Sequence, residues 1–355
     1  MTSSPGEKAR SRVRTPATAG NLSRPPVMAD VARLAGVSHQ TVSRVLNEHP
    51  NVRPLTRERV LAAIRELAYR PNAAARTLVT RRTHTLGVIT ADTMLYGPTS
   101  MLYGFERAAA HDAYFVSVAS LPALDRRSML DAVDRFLGQG IEGIIVIATV
   151  DTAVAALGHV PPEVPLVAVG CGTRASVTSV AIDNAAGGAA ATRHLLGLGH
   201  ATVYHVAGPL SCLDAKERVD GWRQALREAN AAEPAVLAGD WSARSGYELG
   251  SRLAAGEPGL TAVFCGNDTM ALGVIRALTE RGLRVPGDVS VIGFDDVPEA
   301  GYYLPPLTTV RQDFGVLGRQ ALSTLVDRMS GAIPAGRRVR VAPELIVRAS
   351  AAGPG

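Results

Sequence analysis

The sequence predicts two folds in one chain: a small all-α helix-turn-helix headpiece and, after it, a large two-lobed α/β domain. Three observations carry this. Between Met28 and Tyr69, apolar residues recur at helical spacing around a single tight turn. From Thr85 onward, short apolar runs alternate with helix-length segments, and there are too many strands for one ordinary doubly wound sheet. Positive charge is also crowded at the start: residues 1–82 hold 15 Lys and Arg against 5 Asp and Glu in a chain whose net charge is only +5. That asymmetry is the electrostatic footprint of a phosphate-binding module joined to one that does not bind phosphate.

A length of 355 residues with 46% hydrophobic and 19% charged content is enough for one small and one large folded unit. No apolar run approaches the ~20 residues that span a bilayer, and the N-terminus has no signal-peptide core, so no membrane partner and a cytoplasmic location are expected. Cys171, Cys212 and Cys265 are widely spaced without a C-x-x-C pattern, which reads as buried free thiols.

Residues 1–25 are rich in Ser, Pro, Thr and Arg with almost no large apolar side chains, and are expected to be a disordered basic tail. The tail is either a weak DNA-binding arm or an extension of no consequence. The first ordered element is Met28 to Asn47. Val31 and Leu34 form one face of a short helix, Gly36-Val37-Ser38 the turn, and Val42, Val45 and Leu46 the matching face of a second helix. Gly36 allows positive φ at the turn, and the Ser38 hydroxyl stands where it caps the second helix. His39, Gln40, Ser43 and Arg44 are left as groove readers, since an amide suits adenine and a guanidinium suits guanine or phosphate, and Thr41 and Asn47 are further candidate DNA contacts. Taken alone, such a helix pair is more often ordinary core; its coincidence with the positive charge decides for DNA.

These residues also carry a resemblance. ADVARLAGVSHQTVSRVLN is similar to the DNA-binding headpiece of the lactose repressor family of bacterial transcription regulators, and the likeness continues through nearly the whole chain after residue 26. The resemblance implies a sequence-specific repressor, a homodimer on pseudo-palindromic operator DNA, with operator affinity set by a small sugar or glycoside. It implies a headpiece over 26–70, a hinge helix and linker over 71–83, and an effector-binding and dimerisation domain over 84–355.

A third helix, Pro54 to Tyr69, puts Val60, Ile64, Leu67 and Ala68 on one face and begins with proline, as first turns favour. Arg53 stands where the family has Ser or Thr, so a side-chain cap is in doubt, and Arg53 and Arg57 become candidate phosphate contacts. Pro71 to Leu78 follows, with Asn72 able to cap about two turns, too short a helix to persist alone. Without the headpiece it would read as an Ala-rich linker. By resemblance it is the hinge helix, whose Asn72, Ala75 and Leu78 meet DNA, the leucine wedging into the minor groove.

The remainder reads as alternating elements: strands at 86–89, 115–119, 141–147, 164–169, 202–207, 262–265 and 289–294, and helices at 98–113, 125–137, 184–198, 214–230 and 268–281. The resemblance turns this into a periplasmic-binding-protein-like (type I) ligand domain. One lobe covers 84–182 and 311–341, the other 183–310 and 342–350, with crossings near Ile182, Val310 and Val341.

Four stretches carry the cleft: AGPLSCLDAKERVDGW, GDWSARSGY, NDTMALGVIRALTERGLRV and GFDDVPEAGYYLPPLTTVRQDF. By resemblance Arg218, Asn267 and Asp295 hydrogen-bond sugar hydroxyls, Trp241 stacks on the ring, and Gln312 and Phe314 lie near the cleft. Leu95, Pro98 and Met101, with Gly97, keep an apolar wall. A pyranose offers vicinal hydroxyls and an apolar face, so this set is chemically apt. Each residue also has a bland reading: Asn267 as a helix cap, Arg218 and Asp295 as an ion pair, Trp241 as core. The chain departs from the family's galactoside pattern at Gly170, where an Asp is usual, near Ile147, where an Asn is usual, and at Ile182, where a Phe is usual. A different ligand is therefore expected.

Other chemistry finds little support. Gly138 to Gly143 matches G-x-G-x-x-G but precedes a strand, so no helix N-terminus receives a pyrophosphate. His194, His200 and His205 lack zinc-type spacing. No catalytic constellation, metal or cofactor is expected. The last residues, Arg348 to Gly355, have no apolar heptad repeat, so a dimer is the expected assembly. The alternatives are the same fold with a corepressor or non-sugar effector and, further off, a sugar receptor for transport, which would lack a headpiece.

Overall fold

A computed structural model describes residues 26–46, 49–70, 82–91, 94–170, 177–334 and 336–355. The tail, Asn47, the hinge residues Asn72, Ala75 and Leu78, and Cys171 lie outside the described residues. The chain forms two compact units, divided between Arg82 and Thr83.

The first unit holds α1 (Met28–Ala35), α2 (His39–Leu46) and α3 (Pro54–Glu66). Asp30 turns back to accept from the Val27 amide at 3.0 Å, closing the start of α1. Gly36 ends that helix at φ 63°, a left-handed conformation that a side chain would strain. The Ser38 Oγ accepts from the Thr41 amide at 3.2 Å, so the expected cap of α2 is present. Val31, Ala32, Ala35, Val42, Val45, Val60, Ala63 and Tyr69 make one small core. Two expectations are corrected. Leu34 is 46% exposed, because Val31, Ala32 and Ala35 are the residues that α1 sends into the core. Ala68 is exposed at φ 47°, and the chain reverses there so that Tyr69 closes the core instead. Arg53 makes no side-chain cap to α3.

The second unit holds two six-stranded sheets. The first is built from β1 (Thr85–Thr90), β2 (Phe115–Ser120), β3 (Gly143–Ile147), β4 (Leu166–Val169), β5 (Ser179–Ile182) and β11 (Arg338–Val341). Its order is β11-β5-β4-β3-β1-β2 and every pairing is parallel. Helices α4 (Tyr96–His111), α5 (Arg126–Gly138), α6 (Asp151–Leu157) and α11 (Phe314–Met329) cover its two faces. With both faces covered, a central strand such as β3, Gly-Ile-Ile-Val-Ile, is buried at every position.

The second sheet is built from β6 (Tyr204–Ala207), β7 (Leu237–Ala238), β8 (Ala262–Cys265), β9 (Ser290–Asp295), β10 (Thr308–Arg311) and β12 (Glu344–Ile346). Its order is β12-β10-β9-β8-β6-β7, parallel except where β12 runs against β10. Its helices are α7 (Asn184–Gly197), α8 (Leu213–Glu228), α9 (Ala243–Gly256) and α10 (Asp268–Glu280). The chain therefore passes between lobes three times: from β5 into α7, from β10 into α11, and from β11 into β12. The C-terminal stretch is tied into the second lobe, where the fully buried Ser350 hydroxyl donates to the Val291 carbonyl at 2.6 Å.

Candidate functional site: a headpiece face and an interlobe cleft

In the headpiece, burial of Val42 and Val45 fixes which side of α2 is free. His39, Gln40 and Arg44 are exposed there, and Thr41 and Ser43 are half-buried beside them. Arg53 is exposed at the start of α3. Arg57 is half-buried and donates from Nη2 to the His49 carbonyl at 2.8 Å, so it also holds the loop between α2 and α3.

In the second unit a cavity of about 360 Å³ opens between the lobes. Leu95, Pro98, Arg218, Trp241, Asn267, Asp295 and Gln312 line it together. Met101 does not reach the cavity: it is 3% exposed, packed in the core behind Pro98 with its sulfur toward Gly170. Phe314 lies edge-on to Tyr96 at 5.9 Å and lines a different hollow, between α4 and α11.

The second lobe supplies the polar wall because strand ends and helix starts converge there. Asp295 ends β9 and Arg218 projects from α8. The Arg218 Nε donates to Asn184 Oδ1 at 2.9 Å, Nη1 donates to the Gly266 carbonyl, and Nη1 lies 3.6 Å from Asp295 Oδ1. Its plane stacks on Phe294, Cζ 3.7 Å from the ring centroid. Gln312 Nε2 donates to Asp295 Oδ1 at 2.6 Å. Asn267 accepts from the Met270 amide at 2.8 Å as the cap of α10, and its Nδ2 donates to the Trp241 carbonyl at 3.1 Å. Thus the cap and ion-pair readings of these residues hold alongside their place on the cavity wall.

Burial pushes the Asp295 carboxyl up to about 6, against the pull of Arg218 and Gln312. Trp241 sits at φ 73° and Asp295 at φ 111°, conformations that cost on the order of 1–3 kcal/mol each and gather where a surrounding site over-determines them. The Trp241 ring lies over Gly208, where a Cβ would come within 2.3 Å of it.

Sequence reasoning missed several lining residues, chiefly Tyr96, Thr149, Cys212 and Asp214. Asp214 precedes Arg218 by one helical turn, a spacing that places both on one side of α8 and was available as a signal. Thr149 and Cys212 come from opposite lobes: the Thr149 carbonyl accepts from the Leu213 amide at 2.9 Å, and Asp151 pairs with Lys216. These contacts clasp the lobes at one end of the cleft. Of the histidines, His205 stacks on Phe264, and burial lowers it to about 4. His200 is spent on Thr261 and the Ala352 carbonyl.

Comparison with known proteins agrees with both halves. Residues 27–72 match the family described as bacterial regulatory proteins, lacI family, and residues 192–351 match a periplasmic binding protein-like domain. The lactose operon repressor of Escherichia coli (strain K12) is 34% identical over 317 residues, 89% of this chain and 88% of that protein. Among solved structures, the lac repressor dimer bound to operator and the anti-inducer ONPF has a TM-score of 0.83 at 33% identity, covering 93% of this chain and 100% of that one. The transcriptional regulator CelR-cellobiose complex has a TM-score of 0.68 at 32% identity, covering 92% of this chain and 99% of that one. A helix-turn-helix headpiece, two lobes crossed three times and relatives matched along nine-tenths of the chain lead to one assignment: this protein belongs to the lacI family of bacterial regulatory proteins.

Proposed function

We propose that this protein is a transcriptional repressor of the bacterial cytoplasm that binds pseudo-palindromic operator DNA as a homodimer and releases it when a small sugar or glycoside enters the interlobe cleft. The observation that carries this reading is the presence, in one chain, of an exposed helix-turn-helix face and a cavity whose wall combines an indole, a guanidinium, a carboxylate and two amides. Gln40 and Arg44 read base edges, and Arg53 contacts phosphate. A single headpiece spans only a few base pairs, which is why two are needed. The segment containing Leu78, matching the family's hinge, reads the operator centre. In the cleft, Trp241 takes the apolar face of a pyranose, while Asp295, Asn267, Gln312 and Arg218 take its hydroxyls.

The same arrangement argues against an enzyme. Asp214 and Asp295 are tied to Arg218, Asn184 and Gln312, and the Ser242 hydroxyl that Asp240 holds is spent as the cap of α9, accepting from the Ser245 amide at 3.1 Å. The reading is tested by selecting duplexes bound by the full chain from a random pool, then titrating a panel of neutral and amino mono- and disaccharides by calorimetry. Enrichment of an inverted repeat together with saturable sugar binding supports it; recovery of no common sequence refutes it.

A further inference from the structure

The balance of hydrogen-bonding groups in the cleft is lopsided. Among the described residues three carboxylates line it, Asp214, Asp240 and Asp295, against one guanidinium. Asp240 is occupied locally, accepting from the amide and hydroxyl of Ser242. Arg218 is largely committed to Asn184, Gly266 and Asp295. Lys216, on the same helix as Asp214, is paired with Asp151. Among the described residues Asp214 therefore has one neighbouring cation, which it shares with Asp295, and one hydrogen bond, 3.1 Å from Asn184 Nδ2 to its Oδ1.

Gln312 is a second, independent sign in the same cavity. It is 5% exposed, its Nε2 is spent on Asp295, and its Oε1 is buried without a hydrogen-bond partner. A buried acceptor left without a donor is unfavourable, so it marks a position where a ligand supplies one. Trp241 and Tyr96 also line the cavity, and aromatic rings favour a nearby cation, as Arg218, 5.4 Å from the Trp241 ring centroid, already illustrates. The site thus offers negative charge, open acceptors and aromatic rings. An anionic ligand meets repulsion, and a neutral polyol leaves the charge of Asp214 unmatched.

We propose that the effector selected by this cleft carries a protonated amine, making it an amino sugar or amino glycoside, and that Asp214 is the residue that selects for the charge. The proposal rests on the reading of the cleft as a sugar site and adds the substituent that distinguishes its ligand. Asp295, Asn267 and Trp241 hold the pyranose; Asp214 and the Gln312 carbonyl receive N–H donors.

Matched sugars test it with the full 355-residue chain. Calorimetric titration at neutral pH with D-glucosamine, D-glucose and N-acetyl-D-glucosamine, and with cellobiose and its 2,2′-diamino counterpart, reads an amine-to-neutral affinity ratio for each set. A charge-assisted contact in a half-buried site predicts a ratio of about tenfold or more. In Asp214→Asn the ratio falls toward one, and in Asp214→Glu, which keeps the charge, it persists; circular dichroism shows that both variants are folded. Neutral or N-acetylated sugars binding as well as the amines, or a ratio unmoved by Asp214→Asn, overturns the amine proposal and leaves the sugar site standing. Binding of no sugar by a folded, operator-binding protein overturns both.

Discussion

The guanidinium of Arg218 lies flat over the ring of Phe294, 3.7 Å from Cζ to centroid, and the same side chain reaches the carboxylate of Asp295 in the next residue at 3.6 Å. One strand end thus supplies both an aromatic face and an anion to one buried cation. The arrangement gives Arg218 a structural role beside its place on the cavity wall, because its removal leaves Asp295 buried beside Asp214 with the Gln312 amide in place of a cation. Arg218→Ala is expected to cost about 3–5 kcal/mol in chemical denaturation as well as abolishing sugar binding. Arg218→Lys keeps the charge but loses the planar stack and the fork of donors, so it should stay folded with sugar affinity reduced on the order of tenfold. Undiminished affinity in Arg218→Lys would show that geometry at this position does not matter.

Gly208 sets the position of the indole. A Cβ there would sit 2.3 Å from the Trp241 ring, so Gly208→Ala must push the ring off its seat. Overpacking of this kind costs about 1–3 kcal/mol. The expected result is a changed Trp241 fluorescence and weakened sugar binding, with operator binding in the absence of sugar retained. Crystallography or fluorescence showing an unmoved ring would refute it.

The buried Asp268 gives the second unit a distinctive pH dependence. Burial, reinforced by the charge of Asp295, pushes its carboxyl up to about 8, although Thr309 and the Val297 amide donate to it. A carboxyl with a raised folded pKa holds a proton that the unfolded chain has released. Its contribution to stability is therefore complete below its unfolded value of 3.8 and fades as pH rises toward about 8. Asp214 and Asp295, each raised to about 6, act in the same direction over a narrower window. His205, lowered to about 4, acts oppositely between that value and its ordinary 6.5. Comparing Asp268→Asn with the wild type cancels Asp214 and His205, while Asp295 is relieved only of the repulsion of the Asp268 charge. The neutral amide can accept from Val297 and donate to Thr309, so the variant should gain on the wild type between about pH 5 and pH 8 in thermal unfolding. Parallel curves would place the Asp268 proton elsewhere.

In the headpiece, Arg44 is exposed on the free side of α2 while Val42 and Val45 hold the opposite side in the core. Arg44→Ala should cost ~1–3 kcal/mol at the cognate operator and relax preference at one base position, without change in headpiece stability. Equal loss on cognate and random duplexes, measured by fluorescence anisotropy, would reduce Arg44 to a phosphate contact.

Much of this was legible in the residues because the physics is local. Gly36 at the turn, the apolar pairs around it and the continuous apolar strands each follow from neighbours in sequence. What hid was set by distant contacts. Helix α9 carries Gly246 and Gly250 where it meets α10, and a Cβ on Gly246 would come within 2.2 Å of the Met270 carbonyl. Glycine here permits close helix packing, yet in the sequence it reads as loop. Edge strand β7 has two residues, too few for a pattern. Leu34, apolar and in helical register, faces outward because α1 is only eight residues long and packs through Val31 and Ala35. Within the cleft, matching motifs located Arg218, Trp241 and Asn267, but Asp214 reads as an ordinary acidic residue in the first turn of a helix until the fold turns it toward Arg218.

The central claim is that the cleft controls the DNA-binding face. Its most direct test is the affinity of the full chain for its selected operator, by fluorescence anisotropy at fixed salt, with and without a saturating sugar whose binding calorimetry has established. Control through two sites of a dimer, each preferring the released form about tenfold, contributes ~1.4 kcal/mol per site, so a loss of operator affinity approaching 100-fold is predicted. An operator affinity that stays the same with the cleft filled would contradict the account.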